Sequence, residues 1–152
     1  TLSEEKKLIN STEIEDIYEK GLDYLPMLNK TSAELMLKHG CTSSTDVTGF
    51  GILGHSQNLA EVQLAEVDYE ISSLPSYKIL PRLDKIVRDF KFKEGLAAET
   101  SGGLLISFPP DRVDAFIKDM QKQGLEVWKV GRVVKGSRKA RMVDGVKVEE
   151  VV

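Results

Sequence analysis

Apolar positions recur at helical spacing in five stretches of the chain. The first, Glu4 to Lys20, is charged and helix-favouring, with Leu8, Ile14, Ile17 and Tyr18 as a thin apolar stripe; Gly21 and Pro26 break it. In the second, Thr31-Ser32-Ala33-Glu34 has the pattern of a capping box, with Thr31 as N-cap and Glu34 reaching back. Leu35, Met36 and Leu37 are its expected buried surface, and Gly40 its stop, with His39 at that end. The third opens at the glycines of 49–54 and carries Ile52, Leu59 and Ala60 before fraying toward Val62 and Leu64. The fourth, Ile79 to Phe92, is kinked or started by Pro81 and places Leu83, Ile86, Val87 and Phe90 on one side. The fifth, Asp111 to Gln123, follows Pro109-Pro110, carries Val113, Phe116, Ile117 and Met120, and ends at Gly124.

Strand patterns fill the gaps. Glu66 to Ile71 alternates, with Val67, Tyr69 and Ile71 on one face and Asp68 and Glu70 on the other, which predicts a half-exposed strand. The prolines and serines of 72–81 predict a loop. Leu104 to Phe108, a continuous apolar run after two glycines, predicts a short buried strand. Val127 to Val134 reads as a strand, Lys135-Gly136 as a turn, and Ala140 to Val143 as the next strand. Asp144-Gly145 is the strongest hairpin signal in the chain and joins that strand to Val146–Val151. Helices first, then β-α-β-α-β-β, predict an α+β domain with helices layered on a mixed, mostly antiparallel sheet.

Composition narrows the partners. A chain of 152 residues, 41% hydrophobic and 30% charged, suits one globular domain with a sizeable core. A net charge of −3 with both signs interspersed gives no nucleic-acid surface. The cationic run Lys78, Arg82, Lys85, Arg88, Lys91 and Lys93 reads as a solvated helix face. No apolar run has the length of a membrane span and no secretory leader is recognisable, so the expected setting is cytoplasmic and away from membranes. The single cysteine, Cys41, excludes an internal disulfide and a multi-cysteine metal cage. With no initiator methionine and a polar opening, the chain is expected to be part of a longer protein whose N-terminal half is missing. Trp128, the one tryptophan, is expected in the core or at the interface with that half.

The chemistry concentrates in Thr45-Asp46-Val47-Thr48-Gly49-Phe50-Gly51-Ile52-Leu53-Gly54-His55. Gly49 and Gly51 let the backbone turn tightly and approach a ligand, and the free amides of the following helix turn favour an anion such as phosphate. Asp46, just upstream, could hold Mg²⁺, a hard cation that prefers carboxylate oxygens and is often shared with phosphates. Read literally, Gly49-x-Gly51-x-x-Gly54 with Asp68 downstream is a dinucleotide fingerprint, but that needs an apolar strand before the glycines, and Cys41 to Thr45 is polar. The plainer alternative is that the glycines only allow close helix packing and Asp46 caps the turn. Cys41 near His39 or His55 invites a nucleophile reading, against which stands its commoner life as a small buried hydrophobe.

TDVTGFGILGH followed by QNLA, and Glu99-Thr100-Ser101-Gly102-Gly103-Leu104-Leu105-Ile106 further on, resemble the two C-domain motifs of the selenophosphate synthetase (selenide, water dikinase) family. LNKTSAELM near the start, Leu74-Pro75, and the closing VGRVVKGSRKARMV are further echoes, so the resemblance runs from about Leu28 to the end. It implies the C-terminal fold of the PurM-like superfamily, which includes aminoimidazole ribonucleotide synthetase, over 28–152, with 1–27 as a helical lead-in from the missing half. It also implies an ATP-dependent transfer of phosphate to selenide, releasing selenophosphate, AMP and phosphate, with Mg²⁺ and ATP as cofactors of the full-length enzyme, which would be a homodimer.

The family's reactive Cys or selenocysteine, its Lys, its glycine-rich loop and most metal-binding Asp residues lie in the other half. This chain is therefore expected to hold no catalytic residue, to be inactive alone and to take up no cofactor by itself. Among the family's metal-binding carboxylates only Asp46 carries over, as a Mg²⁺ ligand, with Thr48, Gly49 and Gly51 shaping the phosphate-facing turn. Glu99 to Gly103 could bond phosphate or the opposite domain, though a turn before a strand needs such residues anyway. The competing expectations are a stand-alone ligand-binding or interaction module and a non-synthetase paralogue. An exposed apolar face where a partner half would dock separates the module from the fragment.

Overall fold

A computed structural model of the chain describes residues 10–86, 91–98 and 100–151. In chain order these form α1 (Ser11–Tyr24), α2 (Lys30–Lys38), β1 (Ser43–Asp46), α3 (Gly51–Glu61) and β2 (Val67–Ser76). Then come α4 (Leu80–Ile86), β3 (Leu104–Ser107), α5 (Pro110–Lys122), β4 (Gly131–Lys135) and β5 (Ala140–Glu150). The fold is α+β, with one antiparallel pair, β1–β3, and a three-stranded sheet ordered β4-β2-β5. In the larger sheet β2 runs antiparallel to β4 and parallel to β5.

Two apolar clusters hold α3 against this sheet. Leu59, Ala60, Tyr69 and Leu105 form one; Ile71, Leu74 and Phe92 form the other; Ile52 packs against both. Tyr69 also ties the two sheets together. Its hydroxyl shares a 2.7 Å hydrogen bond with the Ser43 hydroxyl, and the Ser107 hydroxyl reaches the same oxygen at 3.5 Å. Ser43 and Ser107 are cross-strand partners, so β1 and β3 are joined to β2 at one point.

Several expectations change in three dimensions. The capping box forms at Asn10 and Glu13, not at Thr31 and Glu34: the Glu13 amide donates to Asn10 Oδ1 at 2.8 Å and the Asn10 amide to Glu13 Oε2 at 3.1 Å. Helix α2 begins two residues earlier than read, with Asn29 rather than Thr31 at its N-cap, which puts Thr31 inside it. Gly21 does not break α1, because contacts at both ends hold the helix. Arg82 Nη1 donates to Glu13 at 2.7 Å, and the Tyr24 hydroxyl donates to Glu126 at 2.5 Å. Burial and the Glu126 carboxylate push the Tyr24 phenol up. Leu37, expected in the core, is 70% exposed. Leu8, Val87, Arg88 and Phe90 lie outside the described residues.

The strand expectations shift for physical reasons too. The loop predicted after Ile71 is instead the second half of β2, whose Ser73 and Ser76 are buried. Small hydroxyls fit there once bonded, as Ser73 Oγ is to Glu149 at 2.7 Å. Pro75 is accommodated because the pairing of β2 with β4 ends at Ile71, opposite Gly131, and at Pro75 β2 is paired with β5 alone. The strand predicted over Val127–Val134 forms only as Gly131–Lys135. Asp144-Gly145 makes no hairpin: β5 is one strand, and the two residues lie in a bulge where Ser72 alone of β2 faces 143–146. Trp128 is half-buried at a surface hollow of about 310 Å³, beside Leu125 and Glu126 rather than in either core cluster.

Nor is β2 half-exposed. Asp68 and Glu70 retain only 6% and 9% of their surface. Asp68 accepts from the amides of Ser137 (2.7 Å) and Lys139 (2.9 Å) and from Arg141 Nη1 (2.7 Å), strapping the β4–β5 connection across the start of β2. Glu70 accepts from Arg132 Nε at 2.6 Å and from Arg141. The Lys139 and Ser137 amides, then Arg141, hold the Asp68 carboxyl below its usual range, and Arg132 and Arg141 do the same for Glu70.

Candidate functional site

The site begins where β1 meets β3. Ser43, Ser44, Thr45 and Asp46 pair with Ser107, Ile106, Leu105 and Leu104 respectively. The Val47 amide continues the ladder, donating to Gly103 O at 3.0 Å. The two glycine motifs, remote in sequence, are therefore neighbours. A third segment joins them, as Asn29 Nδ2 donates to Gly102 O at 3.1 Å and Ser101 Oγ to Leu25 O at 3.1 Å. From the sequence, LNKTSAELM was only an echo; its asparagine is the piece that grips the second motif.

Beyond Asp46 the chain turns sharply into α3. The Thr48 amide donates to His55 Nε2 at 3.0 Å, and Thr48 Oγ1 lies 3.2 Å from the same nitrogen. Gly51, at φ +66°, opens the helix and donates its amide to Thr48 O at 3.0 Å. A Cβ on Gly51 would stand 2.5 Å from Gly95 O and 2.8 Å from Leu96 Cα, so close packing against 95–96 requires glycine here. The Leu53 amide donates to Gly95 O at 2.9 Å. Two of the first-turn amides that could have faced an anion are thus spent on backbone carbonyls. Gly49 is exposed, with no atom within 4 Å of where its Cβ would be.

Asp46 does not cap α3. The N-cap is Phe50, without a side-chain cap bond. The Asp46 side chain is exposed and, among the described residues, its carboxylate accepts no hydrogen bond and joins no ion pair. Such an oxygen pair is chemically suited to a hard cation. Among the described residues no three His, Cys, Asp or Glu side chains cluster to hold a metal.

The remaining candidates are accounted for elsewhere. Both histidines are engaged away from Cys41: His55 with Thr48, and His39 Nε2 with Asp119 Oδ2 at 3.1 Å. Cys41 is a half-buried free thiol without an imidazole partner, and no Cys–His pair forms. Asp119 also receives Lys122 and Lys38, each at 2.7 Å, and these cations with His39 hold its carboxyl far below the usual range. Asp68, the acid of the rejected dinucleotide reading, is committed to the β4–β5 strap. Glu99 lies outside the described residues; Thr100 and Ser101 are exposed.

Comparison with known proteins bears on this arrangement. Residues 2–144 match the family described as AIR synthase related protein, C-terminal domain. The chain is 39% identical over 150 residues to Selenide, water dikinase 2 of Mus musculus, covering 96% of this chain and 33% of that protein. It is 39% identical over 150 residues to the protein of the same name from Homo sapiens, covering 96% of this chain and 34% of that one. It is 42% identical over 130 residues to Selenide, water dikinase of Trypanosoma brucei brucei, covering 84% of this chain and 33% of the relative. The chain thus spans about a third of the length of these curated relatives.

Proposed function

Since the chain belongs to the AIR synthase related family through that C-terminal domain, we propose that it is the C-terminal part of a selenide, water dikinase that makes selenophosphate, AMP and phosphate from ATP, selenide and water. One observation carries the reading toward a site: the β1–β3 ladder sets the two glycine motifs side by side and leaves the Asp46 carboxylate exposed and, among the described residues, unpaired next to them. A buried or ion-paired aspartate there would have favoured a structural role.

In this reading Asp46 is one ligand of a Mg²⁺ ion whose other ligands come from ATP phosphates, water and the rest of the protein. When bound, the ion neutralises charge on the transferring phosphoryl group. The chain's own contribution is positional. Thr48, Gly49 and Gly51 shape the turn that presents Asp46, and Gly49, with open space around it, is where a phosphate can approach the backbone.

The partners follow from the same reading. Residues 1–27 lead in from the enzyme's N-terminal half, 28–152 form the domain, and the full-length enzyme is a cytoplasmic homodimer. The outward side of α1 supports a docked neighbour. Ile14, Tyr18, Leu22 and Leu25 follow one another at helical spacing, all exposed, Tyr18 by 66%. Among the described residues no helix is long and apolar enough to cross a membrane.

The test is selenide-dependent AMP formation from ATP by the full-length parent, wild type against Asp46→Ala. Activity should fall by more than about a hundredfold, the fold unchanged by circular dichroism, since losing a ligand exceeds the usual effect of losing an outer-shell partner. Unchanged activity removes the metal role from Asp46. A wild type with no selenide-dependent activity removes the dikinase assignment and leaves a paralogue.

A further inference from the structure

We propose that His55 is a positioning residue for the Asp46–Gly51 turn: its Nε2 draws the Thr48 amide and hydroxyl inward and so sets the backbone that presents Asp46 and Gly49. The functional consequence rests on the reading of Asp46 as a metal ligand; the geometry does not.

His55 is 8% exposed, and a buried imidazole must find partners. Its hydrogen-bonding partner among the described residues is Thr48, at 3.0 Å from the amide and 3.2 Å from Oγ1. An amide can only donate, so Nε2 accepts, its proton sits on Nδ1, and the Thr48 hydroxyl donates to Nε2 as well. One nitrogen lone pair thus receives both donors of Thr48.

The helix carrying His55 is itself fixed. Gly51 and the Leu53 amide hold its first turn against Gly95 and Leu96, and Ser56 Oγ donates to Ile52 O at 2.7 Å. The Phe50 ring leans on the imidazole, centroids 5.7 Å apart, and lies over Gly54, where a Cβ would stand 2.6 Å from Phe50 Cβ. Among the described residues the outer side of the turn has no comparable support, since nothing lies within 4 Å of where a Gly49 Cβ would be. Restraint therefore comes from within, through His55 and the Gly51 amide. A ligand carboxylate must be held to about half an ångström to serve a metal, and Asp46 lies only two residues from Thr48.

The first test uses the chain alone, without metal or nucleotide. Nitrogen-15 spectra should show His55 protonated on Nδ1 and bare on Nε2. The Thr48 amide should exchange with solvent at least about tenfold more slowly than that of Gly49. His55→Leu, which keeps bulk but removes the acceptor, should speed Thr48 exchange about tenfold while leaving the core amides of Leu59 and Tyr69 unchanged. His55→Gln, whose side-chain oxygen can accept the same donor, should recover part of the protection. A protonated Nε2, or Thr48 exchange unaltered in His55→Leu, overturns the proposal; if that variant fails to fold, the wild-type tautomer and Thr48 protection decide.

The second test is in the full-length parent. His55→Leu should raise the Mg²⁺ concentration for half-maximal activity about tenfold, with His55→Gln between it and wild type. If Asp46→Ala is inactive while His55→Leu matches wild type, the positioning role is overturned. If Asp46→Ala is fully active, the metal reading fails instead, and the exchange data still decide whether His55 holds the turn.

Discussion

Asp46 stands directly opposite Leu104 in the β1–β3 ladder, at the point where each glycine motif meets its strand. Strand side chains alternate with a period of two, so a slip of one residue would turn Asp46 inward and expose its neighbours. The pairing of Ser43 with Ser107, both held to the Tyr69 hydroxyl, fixes that register.

Gly51 and Gly49 should respond oppositely to alanine. Gly51→Ala combines a left-handed backbone with a clash against Gly95 O and should cost about 2–4 kcal/mol. Gly49→Ala meets open space and should stay within about 1 kcal/mol of wild type. Urea unfolding of both variants checks this; equal losses would show that the packing against 95–96 does not require glycine.

Acid should loosen the β4–β5 strap. The folded-state pKa values of Asp68 and Glu70 lie below their ordinary 3.8 and 4.5. Their contribution is therefore complete above those ordinary values and is lost as pH falls through them toward the depressed folded values. Asp119, also held low, adds to the same acid slope. The melting temperature should be flat between about pH 7 and pH 5 and fall below about pH 4.5. Arg141→Gln, which removes a cation shared by Asp68 and Glu70, should make that fall shallower; an unchanged slope would count against the network.

The bulge in β5 predicts a sensitivity that a hairpin would share only in part. Gly145 has φ +72° and nothing within 4 Å of a would-be Cβ, so Gly145→Ala should cost about 1–2 kcal/mol from backbone strain alone, and Gly145→Asn less. Amide exchange of Val146 and Val148 in the wild type should show one continuous protected strand. Fast exchange there would favour a frayed hairpin arm.

Charge on the outer stripe of α1 should leave this chain intact and harm only the longer protein. Tyr18→Glu with Leu22→Glu should change the stability of the chain alone by no more than about 0.5 kcal/mol per site. In the full-length parent the same pair should lower the melting temperature and expose the junction to protease. The wild-type chain alone should run as a monomer on size exclusion; a tight, concentration-independent dimer would assign the stripe to self-association.

Where local physics decides, the sequence was sufficient. Gly40 and Gly124 end their helices, Pro110 starts α5, and the apolar faces of Leu59 and Phe116 are buried, because caps and amphipathic stripes are written within a few residues. The two motifs were legible as words, but not as neighbours. Their adjacency rests on a strand whose four residues are all polar and which no hydrophobic period announces. Tertiary structure also chose between equal local options. At the start of α2, Asn29 rather than Thr31 became the N-cap, its side chain donating to Gly102 O far along the chain. Asp144-Gly145 became a bulge because β2 pairs in parallel with both halves of β5, Ala140–Met142 and Lys147–Glu150, and a turn signal cannot report a strand that arrives from elsewhere. Likewise Asp68 and Glu70 look solvent-facing in any alternating pattern; only the arrival of Arg132, Arg141 and the 137–139 amides makes their burial affordable.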